Sequence, residues 1–204
     1  MKRLLHILTG AVVAFGFAAA AHAAVTPGQP APAFALTGID GKPVKLADYR
    51  GKYVVLEWFN SECPFVQKHY ESGNMQALQA KYGAKGVVWL GINSTSPKHS
   101  NYRDPQRSAA ILSDWKSSPT AFLLDPDGKV GQQYGARTTP HMYIVDPKGT
   151  LVYVGGIDDK PSISPRDIPN SKNYVAAALD ELLAGGKVSE ANTRPYGCSV
   201  KYAD

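Results

Sequence analysis

Cysteine is scarce in this chain of 204 residues: there are two, Cys63 and Cys198, and neither sits in a Cys-x-x-Cys or His-x-x-x-His pattern. Two thiolates cannot complete a structural zinc site, so neither a metal nor any other cofactor is expected. Asp125 and Asp127 lack the remaining ligands of a calcium loop. Charge of one sign is not concentrated either. Lys and Arg are scattered, and losing Lys2 and Arg3 with an N-terminal leader would lower the formal net charge from +5 to +3. A nucleic-acid partner is therefore not expected. What remains is ordinary globular composition, 44% hydrophobic and 19% charged, enough for one domain with a sizeable core.

The first residues stand apart. Lys2 and Arg3 precede an uncharged, mostly apolar run from Leu4 to Ala20 that ends in Ala21-His22-Ala23, a small-x-small cleavage pattern. His6, Thr9 and Gly10 interrupt the run, which favours a removed secretory signal at residues 1–23 over a membrane anchor. No cysteine near its end offers a lipid attachment point. The expectation is an exported protein, periplasmic or extracellular, with no stable membrane insertion after cleavage. In such a compartment two cysteines can stay paired.

Residues 24–32, with prolines at 27, 30 and 32 nearby, read as an extended lead-in. Ala33–Thr37 and Lys42–Leu46 flank a Gly38-Ile-Asp-Gly41 turn and predict a hairpin. Tyr53–Phe59 is an apolar, β-branched and aromatic run interrupted by Glu57, the pattern of a buried central strand. A helix is predicted from Pro64, weakened at Ser72-Gly73-Asn74 and resuming to Tyr82. Gly86–Asn93 predicts a second buried strand, parallel to the first because a helical crossover leads to it. A short helix at 106–116, a strand at 121–125, a hairpin of His141–Val145 with Leu151–Gly155 and a helix over 173–184 follow. Residues 187–204 form a tail carrying Cys198.

The chain thus turns from strand to helix at Cys63. Pro64 suits the first helical position, which makes Cys63 the cap. Unpaired backbone N–H groups and the positive end of the helix dipole favour a thiolate there, while the adjacent Glu62 opposes it by like-charge repulsion. Cys63 is the candidate nucleophile, weighed against an inert buried cysteine. Lys68 and His69 ride the same helix, where a solvated face is the default reading.

The order of hairpin, strand, Cys-helix, strand, helix, Thr-Pro, hairpin and terminal helix resembles the thioredoxin fold in its redoxin branch, shared by exported thiol-disulfide proteins and peroxiredoxins. Phe34-Ala-Leu-Thr-Gly-Ile-Asp-Gly-Lys-Pro-Val-Lys-Leu-Ala-Asp-Tyr-Arg-Gly-Lys52 is similar to the opening of that branch. Cys63-Pro-Phe-Val, Tyr134-Gly-Ala-Arg-Thr-Thr-Pro-His141, Val152–Asp159 and Gly197-Cys-Ser-Val-Lys-Tyr202 are similar to a peroxiredoxin-like subgroup. The resemblance implies an α/β thioredoxin-like domain over residues 33–186, with a central mixed sheet flanked by helices and an N-terminal β-hairpin extension. It also implies a cis peptide at Thr139-Pro140, exposing backbone for substrate pairing beside the nucleophile. Glu57, six residues before Cys63, resembles a buried acid that shuttles protons, and Trp58 an aromatic near the thiol. His141 is the histidine expected nearest to Cys63.

The departures matter as much. Val66 stands where a thioredoxin has its second cysteine, which rules out a Cys-x-x-Cys mechanism. Asn60 and Leu56 stand where a peroxiredoxin has Thr or Ser and Pro, and the peroxiredoxin arginine would fall near Pro140. Catalytic roles are expected for Cys63, Cys198 and Glu57, and substrate contacts for Thr139, Pro140 and Trp58. Three readings stay open. Cys63 exchanges with a protein or small-molecule disulfide and Cys198 resolves it; or peroxide oxidises Cys63 in an antioxidant peroxidase cycle; or Cys63–Cys198 is a permanent staple in a binding domain.

Overall fold

The Val54–Trp58 segment forms the strand (β3) about which the sheet is laid out, and every one of its residues is buried. The computed structural model describes residues 25–203, so the expected leader at 1–23 lies outside the described residues. Ahead of β3 come β1 (Ala35–Gly38) and β2 (Pro43–Lys45), the predicted hairpin. Next come α1 (Pro64–Glu71) and α2 (Asn74–Gly83), broken where Ser72-Gly73 weakens the helical pattern. They cross over to β4 (Val88–Asn93), which runs parallel to β3 with Glu57 opposite Gly91.

Further on lie α3 (Pro105–Asp114), β5 (Ala121–Leu124), α4 (Lys129–Tyr134), β6 (Thr138–Thr139), β7 (His141–Val145), β8 (Leu151–Gly155), α5 (Tyr174–Leu183) and β9 (Cys198–Ser199). The main sheet has the order β2-β1-β5-β4-β3-β7-β8, parallel at β3–β4 and β4–β5 and antiparallel elsewhere. It is the mixed sheet expected. Among the α-helices and strands, two elements were not legible in the sequence. The six residues of α4 follow the Asp125-Pro-Asp-Gly128 turn, whose carboxylate Asp125 accepts from the helix amides of Val130 (3.2 Å) and Gly131 (2.8 Å). The other is the separate two-stranded pairing of β6 with β9.

The two-residue period of β3 sorts its side chains onto opposite faces. Val55 and Phe59 face a core with Val66, Tyr70, Met75 and Tyr82 of the α1–α2 pair and Val175, Ala178, Leu179 and Leu182 of α5. Val54, Leu56 and Trp58 face a second core with Leu90, Ile92, Tyr143 and, from α4, Val130 and Tyr134. Cys63 belongs to the first core. Glu57 falls in phase with Val55 and Phe59, so the only carboxylate of β3 is directed beneath α1.

Candidate active site

Cys63 is the N-cap of α1: its backbone is extended (φ −88°, ψ 117°), Pro64 follows at the first helical position, and the Cys63 carbonyl accepts from the Val66 and Gln67 amides at 2.9 Å each. Only 1% of the residue is exposed. Its sulfur does not turn back onto the helix N-terminus. It points across to the Thr139 carbonyl oxygen, 2.9 Å away, in a geometry where the thiol donates. The Glu62 carboxylate, whose charge opposes a thiolate, is engaged by the Arg103 guanidinium at 2.7 Å, while the Glu62 amide donates to Asn60 Oδ1 at 2.8 Å.

The Thr139–Pro140 peptide is cis. Thr139 is buried, and its register partner in the β6–β9 ladder is Cys198. One residue therefore touches both cysteines, Cys63 through its carbonyl and Cys198 through strand pairing. The two thiols are free. Cys198 is half-buried, and burial together with the neighbouring Cys63 pushes its pKa up to about 12.

Beneath the thiols lies a polar network that patterning did not reveal. Lys68 and His69, expected on a solvated face, are 1% and 0% exposed. The reason is the segment that covers them: the Lys68 ammonium donates to the Lys160 carbonyl at 2.9 Å and lies 3.5 Å from Asp158 Oδ2. Asp158, itself buried, accepts on Oδ1 from the Tyr196 hydroxyl and from the Lys160 amide. His69 meets Tyr196 Oη at 3.3 Å and Asn74 at 2.9 Å, and burial lowers its pKa to about 4 against the opposing pull of Asp158. Tyr196 also packs edge-on against Phe65, with ring centroids 5.8 Å apart. Tyr196 lies two residues before Cys198, so this network anchors the tail over α1.

Glu57 is fully buried and accepts from the Tyr70 hydroxyl (2.9 Å) and the Trp89 indole N–H (2.8 Å). Burial raises its pKa to about 7, partly offset by those two donors. Tyr70 in turn accepts from Gln79 at 3.5 Å, and Ser117 donates to Gln79 at 3.1 Å, a chain leading toward the half-exposed Ser117. Among the described residues no hydrogen bond joins Glu57 to either thiol.

An acid whose folded pKa is raised contributes full stability below its unfolded value and loses it as pH climbs through the folded one. From pH 4.5 to pH 7 the loss is about 3 kcal/mol, at roughly 1.4 kcal/mol per unit. Glu57→Gln removes it, since an amide can accept from Trp89 and donate to the Tyr70 oxygen. The variant's stability relative to the parent therefore rises by about 3 kcal/mol between pH 4.5 and pH 8, measured by urea unfolding. A difference that stays flat over that range would mean that Glu57 is ionised throughout. His69 and His141, which titrate lower, cancel in the comparison.

Two expected neighbours of the thiol are elsewhere. Trp58 is fully buried in the core on the opposite face of β3, its indole donating to Ser94 Oγ at 3.0 Å and its ring 5.0 Å from Tyr143, so it offers nothing to a substrate at Cys63. The strand pleat is the cause: Trp58 follows Glu57 and must face the other way. His141 pairs with Trp58 in the β3–β7 ladder, and its ring lies tilted 4.6 Å from that of Tyr143, a residue of the core opposite the one that holds Cys63. Phe65, two residues after Cys63, packs against Tyr196, two residues before Cys198. No three His, Cys, Asp or Glu side chains converge as a metal site among the described residues.

A model of the AhpC/TSA family matches residues 27–154. The thiol-disulfide oxidoreductase ResA of Bacillus thuringiensis subsp. konkukian is 30% identical over 125 residues, 55% of this chain and 71% of ResA. An uncharacterized conserved protein from Geobacillus kaustophilus has a crystal structure similar to this one, with a TM-score of 0.74 and 30% identity over 87% of this chain and 92% of that one. A putative thiol:disulfide interchange protein DsbE from Chlorobium tepidum aligns with a TM-score of 0.54 and 27% identity over 64% and 85%. The family match ends at residue 154, so Asp158, Tyr196 and Cys198 lie beyond it.

Proposed function

Because this chain belongs to the AhpC/TSA family, we propose that it is an exported thiol-disulfide oxidoreductase with Cys63 as nucleophile and Cys198 as resolving thiol. The observation that carries the reading is the meeting of the two cysteines at Thr139, Cys63 by its sulfur and Cys198 by its strand register. The relatives named as a thiol-disulfide oxidoreductase and a putative thiol:disulfide interchange protein support the same chemistry. Export is inferred from the N-terminal residues 1–23 alone, and among the described residues no helix is long and apolar enough to cross a membrane.

In the reducing direction the Cys63 thiolate attacks one sulfur of a substrate disulfide, forming a mixed disulfide and expelling the other sulfur as a thiolate that takes up a proton. Cys198, having given up its own proton, attacks Cys63 and displaces the substrate's second sulfur. Two electrons have then passed to the substrate, and Cys63–Cys198 is a disulfide. The reverse sequence oxidises a dithiol. Glu57, with a pKa near neutrality, is the buried group able to hold or release a proton in this core. Thr139 and Pro140 contribute the backbone against which the reacting sulfur is aligned. The substrates are thiols and disulfides of proteins or small molecules.

Peroxide chemistry has less support from the site. Asn60, where a peroxiredoxin has Thr or Ser, is bound to Thr95 at 3.2 Å, and the place of the peroxiredoxin arginine falls near Pro140.

The test is peptide mass mapping of the mature protein, oxidised and then titrated across glutathione and dithiothreitol buffers. The expected result is a Cys63–Cys198 link that reduces within the range of catalytic dithiols, about −120 to −270 mV. A link that survives below about −300 mV would make it a structural staple, and unlinked cysteines would remove Cys198 from the mechanism.

A further inference from the structure

The segment that delivers Cys198 also covers the Thr138–Thr139 strand beside Cys63. After α5 the chain runs beside β8, with the Val154 amide bonded to the Ala191 carbonyl at 2.9 Å and the Thr193 amide bonded to the Val154 carbonyl at 3.1 Å. It then crosses α1 at Tyr196 and pairs Cys198–Ser199 antiparallel to Thr138–Thr139. Beyond the pairing it is pinned again. The Val200 amide donates to Arg137 O at 3.0 Å, Ser96 donates to the Lys201 carbonyl at 2.7 Å, and the Tyr202 hydroxyl donates to Ala136 O at 2.8 Å. The Tyr202 ring fills space that exists only because positions 128 and 131 are glycine; a Cβ at either would strike it.

Gly197 makes the close approach possible. Its φ of +137° is one that L side chains rarely adopt, and a Cβ there would collide with the Thr139 carbonyl oxygen, the same atom that holds the Cys63 thiol. The result is an extended peptide, Tyr-Gly-Cys-Ser, laid on a strand edge with its cysteine at the reactive thiol. An edge strand with free N–H and C=O groups pairs with any extended peptide of suitable shape, and here that place is taken.

We infer that residues 196–202 are a built-in occupant of the substrate edge, so that Cys63 reacts with an outside partner only after this strap lifts. The partner that displaces it is an extended polypeptide whose reacting cysteine follows a glycine or comparably small residue and, one further back, an aromatic that seats on Phe65. This rests on the reading of Cys63 as the reacting thiol. It adds a gate, and it makes Cys198 both the resolving thiol and the substitute for the substrate cysteine.

The experiment is the rate of iodoacetamide alkylation of Cys63 in the full chain carrying Cys198→Ser, where Cys63 is the sole thiol. Tyr202→Ala and Gly197→Ala are each added to that background, with folding followed by circular dichroism. Tyr202 lies far from the thiols along the strap, so its removal loosens the gate without touching the site. Alkylation should rise about tenfold or more in both, the change expected when local opening no longer has to expose a packed tyrosine ring or is already forced by a clash. A peptide of residues 194–202 with serine for cysteine should slow it again in the Tyr202→Ala protein, and the same peptide with alanine for its glycine should not.

If Gly197→Ala does not fold, the Tyr202→Ala arm decides. Unchanged alkylation with Tyr202→Ala, or a parent Cys63 that already reacts at the rate of an unhindered small thiol, would overturn the gate. A Cys63–Cys198 couple that titrates as a catalytic dithiol would leave the proposed activity standing in either case.

Discussion

Cys63→Ser is expected to abolish disulfide exchange, while Cys198→Ser should preserve the first step and stop the second. A serine hydroxyl at the α1 N-cap is not ionised near neutral pH and has no sulfur with which to form the mixed disulfide, so no part of the sequence of bonds can begin. Loss of Cys198 leaves the attack by Cys63 intact but removes the thiol that displaces the substrate. The mixed disulfide then accumulates and is visible by intact mass as an adduct on Cys63. Turnover falls to the rate at which outside thiols clear that adduct, whereas the single-turnover burst remains. The assay is reduction of a disulfide-bonded protein followed with a thiol reagent, alongside non-reducing mass analysis. A Cys63→Ser protein that reduces disulfides as fast as the parent would end the assignment of the nucleophile. A Cys198→Ser protein with full turnover and no adduct would end that of the resolving thiol.

Asp158→Ala has the largest expected effect on stability, a loss of about 3–5 kcal/mol, because it strands the buried Lys68 ammonium. With the carboxylate gone, Lys68 keeps the Lys160 carbonyl at 2.9 Å and a Tyr196 ring 5.7 Å from its nitrogen, and no counter-charge. The Tyr196 hydroxyl and the Lys160 amide lose their acceptor in the same change. At about 2–4 °C per kcal/mol for a chain of this size, the melting temperature drops by about 6–20 °C. The loss should be largely repaired by combining Lys68→Met with Asp158→Asn, which removes the stranded charge and keeps an acceptor for Tyr196 and the Lys160 amide. Calorimetry or urea unfolding reads both. A loss under about 1 kcal/mol would mean that water reaches Lys68 once the carboxylate is removed.

The tail responds with the fold, since Asp158 binds Tyr196 and Tyr196 sets the position of Cys198. Asp158→Ala should therefore weaken Cys63–Cys198 pairing as well as the domain.

Local patterning carried much of the architecture. The apolar run at 53–59, the Pro64 that follows Cys63, the weak point at Ser72-Gly73 and the turn residues of both hairpins each act within a few residues, and each element formed where expected. Cys63 was legible as the residue at the head of α1 for the same reason: a strand-to-helix turn is a local feature. α4 was not, because six residues between Gly128 and Gly135 are too short to show a helical period, and its start is organised by the Asp125 carboxylate rather than by apolar spacing.

The chain's own order of residues determined a strand, a cysteine at the head of a helix, a carboxylate inside the strand and a second cysteine near the C-terminus. It also determined that Glu57 and Trp58, as adjacent strand residues, face opposite ways. Which of the two faces lies under α1 was decided only in three dimensions, and with it the placing of Glu57 beneath the helix and Trp58 away from the thiols. Lys68 and His69 look like a solvated helix face until Asp158 and Tyr196, distant in sequence, cover them. The meeting of Cys63 with Cys198 likewise depends on the β6–β9 pairing, between segments of two residues each. So short a pairing has no periodic signal of its own. It forms because Gly197 permits the close approach and because Tyr196 and Tyr202 hold the tail on either side of it.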